Sequence, residues 1–253
     1  MGNIIQQVIE SIVKVMLKGY PDISVTVCFS DNIYQDAVSL CENEVYKDFL
    51  NNQSIKSIEI CNKLNGLYLI PKDIDSQHFI LISSRQLKDG YSYISTVAHE
   101  TKHAIDHTAF AKKYCNGRFE DIGKHEYSSL FEAWGEYVAH KIGHSVYISC
   151  AMNVMLGMSE KEIKHELFNN QMPIRISILQ DLMKQDSTKE NVKEILSILA
   201  KFSIWENELS VDVSDLSDNL LTTMHNLDRY DDVDSINFST LGNLLNMLCY
   251  YMG

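Results

Sequence analysis

A histidine pair spaced for metal binding constrains this chain more than any other feature of its sequence. His99 and His103 belong to the pattern H-E-x-x-H, whose second residue is Glu100. On a helix, residues four apart lie one turn apart on the same face, so both imidazoles can bind one metal ion. Glu100 would then lie beside that ion, where a general base for a water molecule is expected. The pattern therefore predicts a metal-dependent hydrolase if these residues are helical.

The residues around this pattern predict a helix that starts near Tyr91 or Ser92. Its apolar and small side chains recur at intervals of three and four residues, which is typical of a helix that faces a core. On this predicted core face lie Ile94, Val97, Thr101, Ala104, Ile105 and Thr108. The opposite face carries His99, His103, Asp106 and Phe110. We therefore expect the histidines to line a cleft.

A second helix is predicted over residues 128–144, with polar and small residues on one face. Catalytic zinc sites normally use three protein ligands and leave a fourth position open. We predict Glu132 of this helix as the third ligand, and Glu136 as a carboxylate that orients a ligating histidine. Asp106 is predicted to have the same supporting role. Glu136, His140 and Asp106 also remain alternatives for the third ligand.

Several segments before the histidine helix have the composition of strands. Residues 23–29 alternate and are rich in β-branched side chains, and residues 78–83 form a short apolar run. Residues 55–61 and 66–70 flank Asn65-Gly66, a dipeptide typical of a hairpin turn. We expect a small, mostly antiparallel sheet that packs on the histidine helix.

From about residue 149 the sequence predicts helices without metal-binding patterns. Ser159 is a predicted N-cap, and Ser187 and Glu190 have the spacing of a capping box. The acidic run at 228–234 is interpreted as a solvated turn. The predicted fold is thus α+β, with a metallopeptidase domain over 1–148 and a helical region over 149–253.

These elements together resemble the glutamate-type zinc metallopeptidases, or gluzincins. They are most similar to the compact ImmA/IrrE-like group, in which H-E-x-x-H precedes a helix that opens with Glu-Ala, as at Glu132-Ala133. The resemblance covers about residues 55–148 and implies a zinc cofactor, Glu132 as ligand and Glu100 as general base. Two features depart from the group: the 29-residue interval from His103 to Glu132 is long, and Lys102 stands where a small residue is usual.

Composition limits the partners and the compartment. The formal net charge of −12 argues against binding to nucleic acid, since affinity for phosphates depends on Lys and Arg. No segment approaches 18 consecutive apolar residues, and the N-terminus lacks the pattern of a signal peptide, so no membrane association is expected. The six cysteines are scattered without a C-x-x-C pair, as in reduced cytoplasmic proteins. The sequence does not indicate an oligomeric state.

The function predicted from these residues is a zinc-dependent endopeptidase that cleaves a specific protein or peptide substrate. Such an enzyme needs a donor to the oxyanion, for which Tyr127, Tyr137 and His107 are candidates. The alternative is a non-catalytic zincin-like module that binds a protein partner. Because a structural zinc site has no need of a general base, the presence of Glu100 favours the enzyme.

Overall fold

The computed structural model describes residues 2–88 and 90–251, which adopt an α+β fold dominated by helices. The chain forms two compact units; the first ends at Glu126 and the second begins at Tyr127. The domain boundary predicted after residue 148 lies within the second unit, just beyond its first helix.

The first unit combines helices with a small sheet. Its helices are α1 (Gly2–Met16), α2 (Ile33–Leu40), α3 (Glu44–Asn51), α4 (Ile55–Cys61) and α5 (Ser92–Tyr114). Short 3₁₀ turns lie at Leu17–Gly19, Ser84–Leu87 and Phe119–Lys124. Side-chain caps begin α2 and α3, since Asn32 accepts a hydrogen bond from the N–H of Gln35 and Asn43 from that of Tyr46. α1 packs against α5 through its apolar face, where Ile9, Ile12 and Val13 are buried.

The sheet has three strands in the order β1 (Val25–Ser30), β3 (His78–Ser83) and β2 (Gly66–Leu69). β1 runs parallel to β3, and β2 runs antiparallel to it. β3 is buried on both sides, because α2 covers the face that carries Leu81 and α5 also packs against the strands. The sheet is therefore mixed, and the expectation of a mostly antiparallel sheet is wrong for the pairing of β1 with β3.

The predicted hairpin is also wrong, because residues 55–61 form the helix α4. Ser54 begins this helix by accepting a hydrogen bond from the N–H of Ser57 at 3.1 Å. Ile55, Ile58 and Cys61 are spaced by three, as on one face of a helix, whereas Ile58 and Ile60 are spaced by two, as on one face of a strand. The N-cap decides between the two. β2 instead pairs with β3, as Gly66 lies opposite Ile82 and Leu69 opposite Phe79.

The second unit is helical. Its helices are α6 (Ser128–Val146), α7 (Glu160–Glu166), α8 (Met172–Leu182), α9 (Lys189–Leu209), α10 (Asp218–Leu227) and α11 (Phe238–Tyr251). Segments of π-helix at Tyr147–Met155 and Leu167–Gln171 connect α6 to α7 and α7 to α8. Ser159 caps α7 within a capping box, which confirms that prediction. α9 begins one residue later than predicted, because Thr188 is the N-cap and accepts from the N–H of Asn191.

Two observations concern the predicted environment of the chain. None of the six cysteines forms a disulfide. Across the described residues, we find no helix with the length and apolar character needed to cross a bilayer. The cytoplasmic location stays a prediction.

Candidate functional site

α5 positions the H-E-x-x-H residues in the first unit. The predicted core face is confirmed, since its members are buried: Ile94, Val97, Thr101, Ala104, Ile105 and Thr108. His99 and His103 are only partly buried, as expected for residues that bind a ligand. The face that carries them is less open than predicted, because Asp106 and Phe110 on it are buried as well.

The two histidines converge on one point. Nε2 of His99 and Nε2 of His103 lie 3.0 Å apart, and the rings meet edge to face. Two nitrogens that each lie about 2.0–2.1 Å from a tetrahedral zinc ion are separated by about 3.3 Å. One ligand atom from each of His99, Glu100 and His103 lies within 4.8 Å of the others. The residues therefore fit a divalent metal ion. A proton shared between the two rings would give a similar distance between the two Nε2 atoms.

Glu100 is held in place by the neighbouring strand. Its side chain is buried, and Oε2 accepts a hydrogen bond from the backbone N–H of Tyr68 in β2 at 2.9 Å. β2 comes close enough for this contact because residue 66 is glycine: a Cβ there would lie 2.5 Å from Cγ2 of Thr96 and 3.0 Å from Oε1 of Glu100. The sequence interpretation assigned Gly66 to a turn and missed this close approach. A glycine inside a strand is the signal that could have indicated it.

Lys102, which departs from the gluzincin resemblance, is part of a buried ion pair. Its Nζ lies 2.7 Å from Oδ1 of Asp106, one turn further along α5, and both side chains are buried. An opposite charge at hydrogen-bond distance offsets the cost of removing an ammonium from water. Asp106, predicted to support the metal site or to bind the metal, thus has a direct partner on its own helix.

An aromatic cluster adjoins the histidine pair. The Tyr68 hydroxyl lies 3.0 Å from Nδ1 of His78, and the Tyr68 ring lies 5.3 Å from that of His107. His107 Nδ1 donates to the carbonyl oxygen of His103 at 2.9 Å, since a carbonyl can only accept. Burial, and secondarily the charge of His107, lowers the pKa of His78 to about 4. His107, a predicted oxyanion donor, therefore uses one ring nitrogen to contact the backbone of a metal-ligand candidate.

The carboxylates predicted as third ligands lie on α6 in the second unit. Glu132 pairs with Lys189 at 2.5 Å and Glu136 with Lys193 at 3.0 Å, both lysines being on α9. His140, one turn beyond Glu136, has Nε2 3.8 Å from Oε2 of that residue. Glu136 is the less exposed carboxylate, at 23% against 37% for Glu132. The sequence did not reveal these lysine contacts. In each of them, a lysine competes with a metal ion for the carboxylate.

The tyrosines predicted as oxyanion donors have different surroundings. Tyr137 is buried, and its hydroxyl donates to Oδ1 of Asp228 at 2.7 Å. Burial and the charge of Asp228 raise its pKa far above the usual value. Its engagement in the core of the second unit disfavours Tyr137 as a donor to substrate. Tyr127 precedes α6 and stacks on Phe238 with ring centroids 4.6 Å apart.

Comparisons with known proteins identify no relative. No family model, no curated protein and no solved structure matches the chain. The interpretation of this site consequently depends on its own residues and on the geometry described above.

Proposed function

We propose that this chain is a zinc-dependent endopeptidase. The observation that carries the proposal is the pair of imidazole nitrogens 3.0 Å apart on one turn of α5, beside the buried carboxylate of Glu100. A histidine pair of this geometry suits a metal ion, and an adjacent carboxylate suits proton transfer. A purely structural zinc site would need neither an acid at position 100 nor an open coordination position.

In the proposed reaction, His99 and His103 hold the metal and Glu100 moves the proton. Zinc bound there would lower the pKa of a water molecule and polarise the substrate carbonyl. Glu100 accepts a proton from water as the water oxygen attacks the scissile carbon, and it then donates that proton to the departing amine. The hydrogen bond from Tyr68 keeps the carboxylate in one orientation during both transfers. His107 and Tyr127 remain the candidates for the oxyanion donor.

The third ligand is proposed to be a carboxylate of α6. Glu132 is the predicted residue, and the resemblance to gluzincins supports it. Glu136 is the alternative, since it is the less exposed of the two and has His140 within 3.8 Å. Whichever residue binds the metal has to release its lysine, so the apparent metal affinity includes the cost of breaking that ion pair.

The substrate is proposed to be a specific protein or peptide in the cytoplasm. A peptidase of unrestricted specificity would damage the cell that contains it, so a narrow target is expected. The net charge of −12 favours such a partner over nucleic acid.

Metal content separates the ligand candidates without knowledge of the substrate. The full chain is purified without added zinc, and bound metal is measured by mass spectrometry for wild type and for single variants. We expect about one zinc per chain in wild type and in Glu100→Gln, and loss of zinc in His99→Ala and His103→Ala. Glu132→Ala and Glu136→Ala identify the third ligand, and Glu160→Ala on the exposed surface of α7 is the control. Absence of zinc from wild type even after zinc is supplied would overturn the proposal.

Peptidase activity is tested on a mixture of protein substrates by mass spectrometry of newly formed N-termini. Wild type is expected to produce a restricted set, and Glu100→Gln none above background, because losing a general base slows catalysis by about 10²–10⁴-fold. Equal product from both proteins would contradict the assigned role of Glu100.

The alternative function, a non-catalytic zincin-like module that binds a protein partner, is favoured by one observation. The hydrogen bond from Tyr68 to Glu100 links β2 to α5, which by itself gives a buried glutamate a structural role. Under this alternative, wild type binds metal but yields no cleavage products, and Glu100→Gln leaves partner binding unchanged. Metal content and cleavage measured together therefore distinguish the two functions.

A further inference from the structure

Two partly buried cations lie on neighbouring helices of the second unit. Arg175 belongs to α8 and Lys201 to α9, and these helices pack against each other. Nε of Arg175 is buried and has no hydrogen-bond partner within the described part of the chain. A buried donor without an acceptor is costly, so this guanidinium lacks a group that it would normally contact.

Trp205 and His144 lie near the two cations. The Arg175 guanidinium lies over the Trp205 ring at 6.0 Å, and Trp205 is one turn beyond Lys201 on α9. The Trp205 indole Nε1 donates to Nε2 of His144 at 2.6 Å. Because Nε2 accepts, His144 is neutral and carries its proton on Nδ1. The charges of Lys201 and Arg175, after burial, lower the pKa of His144, which supports their proximity.

Within the described residues, no carboxylate lies at ion-pair distance from either cation. Over residues 2–88 and 90–251, neither Arg175 nor Lys201 forms an ion pair, and Nζ of Lys201 contacts only Oγ of Ser197 at 3.4 Å. Burial first, and then the charge of Arg175, lowers the pKa of Lys201 to about 8. Lys201 is therefore still mostly protonated at pH 7.

The acidic residues on α9 near the two cations have other partners or lie apart from them. Glu206 pairs with His225, and Glu208 accepts from the hydroxyl of Ser145. Glu194, whose charge acts on Lys201, is an exposed side chain two turns away on the same helix. The two like charges thus act on each other in a partly desolvated place, which favours an external anion.

We propose that Arg175 and Lys201 bind a small oxyanion of the phosphate or phosphomonoester class. A guanidinium presents a planar fork of donors to such a group, and an ammonium adds a point charge. A doubly charged anion would balance both cations and supply an acceptor for the buried Nε. This site lies in the second unit and does not depend on the function proposed for the H-E-x-x-H residues.

The test is titration of the full chain with inorganic phosphate, followed by calorimetry and by thermal unfolding at constant ionic strength. Wild type is expected to bind phosphate saturably and to show a rising Tm. Arg175→Gln and Lys201→Met should each bind at least roughly tenfold more weakly, since each loses a charge-assisted contact. Glycerol 3-phosphate is titrated in parallel. Equal or tighter binding identifies a phosphomonoester as the ligand, and weaker binding identifies free phosphate.

Lys184→Met is the matched control, because Lys184 follows α8 but is 73% exposed and pairs with Asp181. It should bind phosphate as wild type does. In phosphate-free buffer, Lys201→Met should have a higher Tm than wild type, because the variant lacks the repulsion from Arg175. This expectation separates a binding defect from a folding defect. The proposal is overturned if wild type shows no saturable binding, or if Lys201→Met binds phosphate as tightly as wild type.

Discussion

The backbone N–H of Tyr68 donates to Oε2 of Glu100 across 2.9 Å, which fixes the edge strand β2 to the middle of α5. This contact exists because Gly66 allows the strand to lie directly against the helix. The orientation of the proposed general base therefore depends on a residue that has no functional group.

Replacing Gly66 with alanine should destabilise the protein by about 1–3 kcal/mol, as expected for overpacking. The new Cβ would lie 2.5 Å from Cγ2 of Thr96, whose hydroxyl donates to Oε1 of Gln86 at 3.1 Å and so resists rotation. Urea unfolding measures the change. Gly123→Ala is the control, because a Cβ at Gly123 meets nothing within 4 Å. Equal stabilities of the two variants would show that β2 has room to move.

The buried ion pair on α5 predicts a strong dependence of Lys102 and Asp106 on each other. Lys102→Met should cost about 3–5 kcal/mol, because it removes the ammonium next to a buried carboxylate. The double variant Lys102→Met/Asp106→Leu should recover most of this loss, which a double-mutant cycle in urea measures.

The pair Glu160 and Lys164 provides a matched control for this cycle. It has the same four-residue spacing on a helix, but its side chains are 66% and 37% exposed. Lys164→Met should cost less than about 1 kcal/mol. If the two lysine variants lose equal stability, burial does not set the strength of the Lys102 contact.

Local patterns in the sequence predicted the elements that bear the histidine site. β3 and the histidine helix follow from a short apolar run and a helical repeat, and the structure confirms both. The same reasoning assigned α4 to a strand, because this short segment contains apolar residues at an interval of two, Ile58 and Ile60, as well as at intervals of three. There the cap from Ser54, a contact outside the pattern, determined the outcome.

Local sequence patterns could not predict contacts between residues that are distant in sequence. Lys189 and Lys193 each contact an α6 glutamate that is 57 residues away in sequence. Nothing in the sequence indicates this pairing until the packing of α6 on α9 is known. The acidic run at 228–234 shows the same limit, because the prediction of a solvated turn fails at its first residue, Asp228, which is only 14% exposed.

We expect Asp228 to make a large contribution to the stability of the second unit. Its carboxylate accepts hydrogen bonds from Tyr137 at 2.7 Å, Lys141 at 2.9 Å and Ser203 at 2.8 Å. Asp228→Asn should therefore cost about 2–4 kcal/mol at pH 7, measured by urea unfolding. Asp231→Asn is the control, since Asp231 is 81% exposed, and it should change stability by less than about 0.5 kcal/mol.

The same residue gives a pH dependence. Burial raises the pKa of the Asp228 carboxyl, but the hydrogen bonds from Lys141, Tyr137 and Ser203 outweigh burial and leave the pKa below its usual value. A lowered pKa means that its contribution to stability is complete above about pH 4 and is lost as the pH falls further. The difference between wild type and Asp228→Asn should therefore shrink between pH 4 and pH 2. A difference that stays constant over that range would show that the charge of Asp228 is not involved.

Two buried histidines predict a second, separate loss of stability at mildly acidic pH. Burial, with a smaller effect of His107, lowers the pKa of His78 to about 4, and burial with Lys201 and Arg175 lowers that of His144 to about 3. In the unfolded chain the pKa of each histidine is about 6.5. Between about pH 6.5 and pH 4, unfolding therefore takes up a proton at each site. Stability should fall as the pH decreases through this window, by about 1.4 kcal/mol per pH unit for each histidine.

The slope of unfolding free energy against pH tests this prediction independently of the overall stability of each variant. Between pH 6.5 and pH 4.5, His144→Gln and His78→Gln should each remove about half of the slope attributable to the pair. Glutamine at position 144 can still accept from the indole of Trp205, so the packing there is disturbed least. His165→Gln is the control, because that side chain is exposed, and its slope should equal that of wild type. A wild-type stability that does not change over this window would mean that both buried histidines are protonated as readily in the folded protein as in the unfolded chain.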